Sequence, residues 1–80
     1  MFEWRIKMKK EIICVVVIRD NVVDEIYAFQ NKTKAEEFFL KKCSEFFTNW
    51  SEYTAFDIEC VLENGYEQNS NGSVCLVWPQ

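Results

Sequence analysis

EIICVVVIRDNVVDEIYAF, Glu11 to Phe29, is the stretch that decides the fold of this 80-residue chain. From Ile12 to Ile18 every residue is apolar and most are β-branched, the pattern of a strand covered on both faces and therefore central in a sheet. Asp20-Asn21 follows, two residues that tolerate positive φ, and Val22 to Phe29 resumes a β-type composition. The pair reads as a tight hairpin.

Downstream, Thr33-Lys34-Ala35-Glu36 matches the T-x-x-E capping box, in which hydroxyl and carboxylate satisfy unpaired amides at a helix start. A helix is expected from there to about Asn49. Ala35, Phe38, Phe39, Cys43, Phe46 and Trp50 recur at three- and four-residue intervals on one face, and Glu37 and Lys41 form an i, i+4 pair on the other. Leu40 and Phe47 widen the apolar arc beyond what one sheet contact requires, so either the helix is deeply embedded or one flank meets a partner. Phe56 to Glu63 alternates, with Phe56, Ile58, Cys60 and Leu62 pointing one way and Asp57, Glu59 and Glu63 the other, which predicts a half-exposed strand. Asn64-Gly65 and Asn71-Gly72 are turn signals enclosing a polar flexible loop, Tyr66 to Ser70, before a last strand from Val74 to Trp78 closed by Pro79. The resulting order is ββαββ. It predicts an α+β fold, a four-stranded and mostly antiparallel sheet with one helix packed on one face.

Eighty residues make one domain, residues 1–80, which buries only roughly 60% of the surface its unfolded chain exposes. Thirteen aromatic residues, seven Phe, three Tyr and three Trp, compensate for that size. Residues 1–10 read as a tail, partly non-native, because Met8-Lys9-Lys10 resembles a natural start. Basic Arg5 to Lys10 before the apolar run superficially resembles a signal peptide. The run is too short, however, and it ends in Arg19-Asp20 without a small-residue cleavage site, so a strand and a cytoplasmic location are expected. Cys14, Cys43, Cys60 and Cys75 contain no C-x-x-C pair and meet no histidine, which argues against a zinc site and for four reduced thiols, three of them small hydrophobes in strands. In a secreted chain Cys60 and Cys75 would face each other across a hairpin.

With no histidine in the chain, nucleophile systems that use imidazole as base are excluded. The two glycines lie in turns with no following helix, so a phosphate-binding loop is unsupported. Asp57 and Glu59, on one face of the expected strand, could in principle hold magnesium or calcium, but a solvated strand face is the stronger reading. Cys43 lies on the apolar helix face, which favours a core role over a reactive thiolate. The chain is therefore read as a non-enzyme without metal or cofactor.

Charge is the more informative feature. All nine Lys and Arg residues occur at or before Lys42, while the last 38 residues hold Glu45, Glu52, Asp57, Glu59, Glu63 and Glu67, a net of minus six. Direct nucleic-acid binding there would need cations that are absent, and the terminal basic cluster reads as a solubilising tail. An acidic face interleaved with Trp50, Tyr53, Tyr66 and Trp78 fits docking onto a basic protein, itself nucleic-acid-binding, with aromatic anchors in a charged rim. Asp57, Glu59, Glu63, Glu67, Tyr66 and Tyr53 are the candidate partner-binding residues. A homodimer is the alternative, because one helix covers only one face of a sheet whose first strand is apolar on both.

The segment VVVIRDNVVDEIYAFQNKTKAEEFF, Val15 to Phe39, resembles small ββα proteins that abound in phages and mobile elements. The resemblance is one of residue classes and carries no functional residues across. It implies a neighbourhood of short, acidic, single-domain proteins without catalytic residues, anti-CRISPR and other anti-defence inhibitors among them, which bind and inhibit machinery in the host cytoplasm.

Overall fold

Asp20 and Asn21 take φ values of 52° and 66°, the conformation of a two-residue type I′ turn, and they join β1 (Ile13–Arg19) to β2 (Val22–Phe29) as the sequence predicts. The computed structural model describes residues 12–78, so the expected tail at 1–10 and the closure at Pro79 lie outside the described residues. β1 pairs antiparallel with β2 on one side and with β4 (Gly72–Val77) on the other. β4 in turn pairs with the short edge strand β3 (Tyr66–Asn69), giving the order β2-β1-β4-β3 with all three pairings antiparallel. The run that is apolar at every position is thus a central strand. A bulge opposite Val17 and Ile18 leaves Asp24 outside the ladder register.

The long helix α1 spans Lys32–Phe46. Its cap is Asn31, not Thr33: the Asn31 side-chain oxygen accepts from the Lys34 amide at 3.0 Å, so the helix begins before the predicted capping box. It also ends sooner than Asn49, at Phe46, and a short 3₁₀ turn at Trp50–Glu52 follows. Ala35, Phe39 and Cys43 form its buried stripe, and with Phe47 they meet Ile13, Val15 and Val17 of β1 and Val74 and Leu76 of β4 in one core. The helix makes its ion pairs through Lys42, whose Nζ lies 2.9 Å from Glu25 and 3.4 Å from Glu45, and not through Lys41.

The segment predicted as a strand from Phe56 to Glu63 is a second helix, α2 (Ala55–Asn64). Three local features outweigh the alternation. The Thr54 hydroxyl accepts from the Asp57 amide at 3.1 Å, and the Asp57 carboxylate accepts from the Thr54 amide at 3.0 Å, a complete capping box. Ile58, Val61 and Leu62 recur at helical spacing toward the interior, while Phe56, read as inward, is exposed. Gly65 stops the helix at φ 78°, so Asn64-Gly65 is a helix terminus and not a hairpin turn. Polar Tyr66 to Asn69, read as a loop, supplies the fourth strand instead. The class is α+β with a four-stranded sheet, but the described residues carry two α-helices where one is expected. Cys60 therefore sits on a helix and not in a strand or opposite Cys75 in a hairpin, and all four cysteines are free thiols. No described helix is long and apolar enough to cross a membrane.

One half-buried polar cluster ties α1 to β2. The Tyr27 hydroxyl donates to Glu25 at 2.5 Å, and Lys42 reaches the same carboxylate oxygen while lying 5.1 Å from the Tyr27 ring centroid. The Tyr27 hydrogen bond first, and Lys42 second, hold the Glu25 carboxyl below its usual range. A depressed carboxylate contributes stability that is complete above its unfolded value and is lost as pH falls through the folded one. The urea midpoint should therefore stay level from about pH 8 to about pH 6, where no histidine titrates, and decline below about pH 4.5. Glu25→Gln should flatten that acid limb, which equilibrium unfolding at a series of pH values will show.

Candidate functional site

Trp50 follows the end of α1 by four residues and carries the chain from the core toward the surface through a run of rings. Phe46 and Phe47 meet edge-on at 5.0 Å, Phe47 and Trp50 stack at 6.5 Å, and Trp50 and Tyr53 lie 4.5 Å apart. This anchoring fixes Tyr53 at the rim of a groove of about 460 Å³, bounded by the 3₁₀ turn, α2 and β3. The Tyr53 hydroxyl donates to Glu67 of β3 across the opening.

Three carboxylates, Glu52, Asp57 and Glu67, line the groove beside Asn49, Asn64 and Cys60, and among the described residues no basic side chain does. The described cations with aromatic partners are engaged elsewhere: Arg19 over Phe46 at 4.7 Å, Lys32 over Trp78 at 5.6 Å, and Lys42 between Tyr27 and Phe38. The groove therefore carries uncompensated negative potential focused between protein walls. Asp57 is partly committed to its cap, where it faces the positive end of α2. Glu52 and Glu67 supply the charge available to a ligand. Because its hydroxyl donates to Glu67, the Tyr53 phenol is pushed up to about 12 and remains a neutral donor at physiological pH.

Of the six residues predicted to bind a partner, the structure gathers Tyr53, Asp57 and Glu67 into the groove. Glu59 and Glu63 lie one helical turn apart on the exposed surface of α2, outside the groove lining. Asp57 and Glu59, placed on one face by the strand reading, are about 200° apart around a helix. The two-carboxylate metal site suggested for them is therefore removed. Tyr66 points to the opposite side of the sheet, since it pairs with Cys75 while Glu67 pairs with the buried Val74. Sequence reasoning missed Glu52, Asn49, Cys60 and Asn64 as groove residues. The T-x-x-D box at Thr54 to Asp57 was the available signal, because a helix starting there brings Glu52 beside Asp57.

Burial, and secondarily Glu67, push the Cys43 thiol up to about 12, so it stays a neutral core side chain. Among the described residues no three Cys, Asp or Glu side chains cluster in a way that could hold a metal ion. Comparison with family models, with curated proteins and with solved structures finds no match for this chain.

Proposed function

We propose that this chain is a non-enzymatic protein-binding module that docks its acidic, tyrosine-rimmed groove onto a basic partner. The observation that carries the reading is the groove itself, lined by Glu52, Asp57 and Glu67 with no cation from the described residues among its walls. Glu59 and Glu63 on the adjoining helix extend the negative surface, and Tyr53, its hydroxyl held by Glu67, provides a rigid ring with apolar area at the rim. A Lys or Arg side chain entering the groove would exchange water for charge-assisted hydrogen bonds to Glu52 and Glu67. Occlusion of a cationic channel in a nucleic-acid-handling protein is the use such a surface suits best. That mode, inhibition by a short phage-type protein, fits the resemblance of Val15 to Phe39 to small ββα proteins of phages and mobile elements, among which are anti-defence inhibitors.

Binding to an arginine-rich peptide, followed by fluorescence anisotropy at two salt concentrations, tests the reading. The variant Glu52→Lys/Glu59→Lys/Glu63→Lys changes only exposed residues. It should weaken binding by roughly tenfold or more and flatten its salt dependence, since attraction between opposite charges falls with the acidic charge removed. A control, Glu36→Lys/Glu37→Lys/Glu45→Lys, makes the same change in net charge on α1. Equal losses in the two variants, or no loss in the first, would assign the binding to overall charge and reject the groove.

A further inference from the structure

Both described α-helices lie on one side of the sheet, and among the described residues nothing covers the other side. Ile13, Val15 and Val17 of β1 point into the core, so the intervening residues of that strand point away from it. The ladder registers place Val16 and Ile18 at the centre of this second face, flanked by Ile26 and Val23 of β2, by Val77 of β4 and by Tyr66 of β3 through Cys75. The flanking side chains are far from buried: Ile26 is 62% exposed, Val23 54%, and Val77 and Tyr66 48% each. The registers place no charged residue on this face, and Ser73 and Gln68 are its polar members.

We infer that the bare sheet face pairs with the same face of a second copy of this chain. The chemistry of the patch selects that occupant. A basic protein or a nucleic acid would find no counter-charge here, whereas an identical face offers the same uncharged, β-branched surface, and two sheets of this kind interdigitate about 10 Å apart. The area is sufficient: four strands spaced about 4.8 Å apart and some six residues long give a footprint of roughly 400 Å². Two such faces with interlocking side chains bury on the order of 1,000 Å² together, the size at which specific interfaces begin. A patch of that extent is at the upper end of what monomers leave in water. The charge layout is also compatible. Glu45, Glu52, Asp57, Glu59 and Glu63 belong to the helical layer and Glu67 turns toward it, so an isologous pair keeps its acidic sides outward and apart.

Sedimentation of the full chain at micromolar concentration tests this directly. The wild type should sediment as a dimer. Ile26→Asp, at an exposed position, should leave the circular dichroism spectrum unchanged and weaken association by roughly a hundredfold, because it buries an unpaired carboxylate in the interface. Tyr66→Arg on the far strand should do the same. A monomeric wild type at about 100 μM overturns the proposal, as does a dimer that folded Ile26→Asp leaves intact. A chain lacking residues 1–8 separates the remaining case: if it dimerises while the full chain does not, the N-terminal residues cover the face and a second copy is not its occupant. The Glu52→Lys/Glu59→Lys/Glu63→Lys variant should dimerise like the wild type, so loss of groove binding and loss of dimerisation are independent outcomes.

Discussion

Phe39→Ala should cost the protein a large part of its stability. Phe39 is fully buried on the stripe of α1 that lies over β1 and β4, in a core that also contains Phe47, Val15, Val17 and Val74. Truncation removes the transfer energy of the ring and leaves a cavity that close-packed strands cannot collapse to fill, at a cost of about 3–5 kcal/mol. A domain of this length is stabilised by only about 4–12 kcal/mol in total, so a loss of about 3–5 kcal/mol takes a quarter or more of it. In thermal melts followed by far-ultraviolet circular dichroism, Tm should fall by at least roughly 12 °C. Phe56→Ala is the matched comparison. It removes the same ring from an exposed position on α2 and should move Tm little.

Gly72→Ala should be nearly as damaging, for a different reason. The turn before β4 is drawn tight by Asn69, whose side-chain oxygen accepts from the amides of Asn71 at 2.8 Å and Gly72 at 3.1 Å. Asp20 of the first hairpin donates to the Asn71 carbonyl at 3.0 Å, so two turns are pinned together at one end of the sheet. A methyl group at position 72 would lie 1.9 Å from the Ile18 carbonyl oxygen and 2.9 Å from its carbon. Both obstacles are backbone, and relief requires β4 to slide off β1. An overpacking cost of about 3 kcal/mol is expected, read as a lower urea midpoint with an unchanged m-value. Ser73→Ala, one residue along the same strand and on its open face, should cost little. A Gly72→Ala protein as stable as the wild type would show that the strands do not approach here as described.

The two ends of the chain were not equally legible. In the first hairpin every level agrees: β-branched strands, Asp-Asn at positive φ, and a core face repeating every second residue all specify the same structure. Residues 56–63 satisfy two periods at once. Phe56, Ile58, Cys60 and Leu62 fit alternation, whereas Ile58, Val61 and Leu62 fit a helix, and Val61 is the residue that breaks the first pattern and is buried in the second. What decides between them lies outside the apolar residues, in the Thr54–Asp57 cap and in Gly65, because Asn-Gly ends helices as readily as it turns hairpins. Tyr66 to Asn69 gave no strand signal because an edge strand with one polar face needs few apolar residues; its pairing is set by β4. For the candidate site, the acidic second half was visible in composition. The meeting of Tyr53 with Glu67, fourteen positions apart, was not, since it depends on α2 returning the chain to the sheet.

Where a basic ligand touches the protein decides between the groove and every other surface. Titration of the isotopically labelled chain with the arginine-rich peptide, followed amide by amide in two-dimensional nuclear magnetic resonance, supplies that map. The expected result is a set of shifts confined to the groove, at Glu52, Tyr53, Asp57, Cys60, Asn64 and Glu67, which diminishes as salt is raised. Shifts centred on Val16, Ile26 and Val77 of the bare sheet face, or saturating binding that leaves the groove amides unmoved, would contradict it.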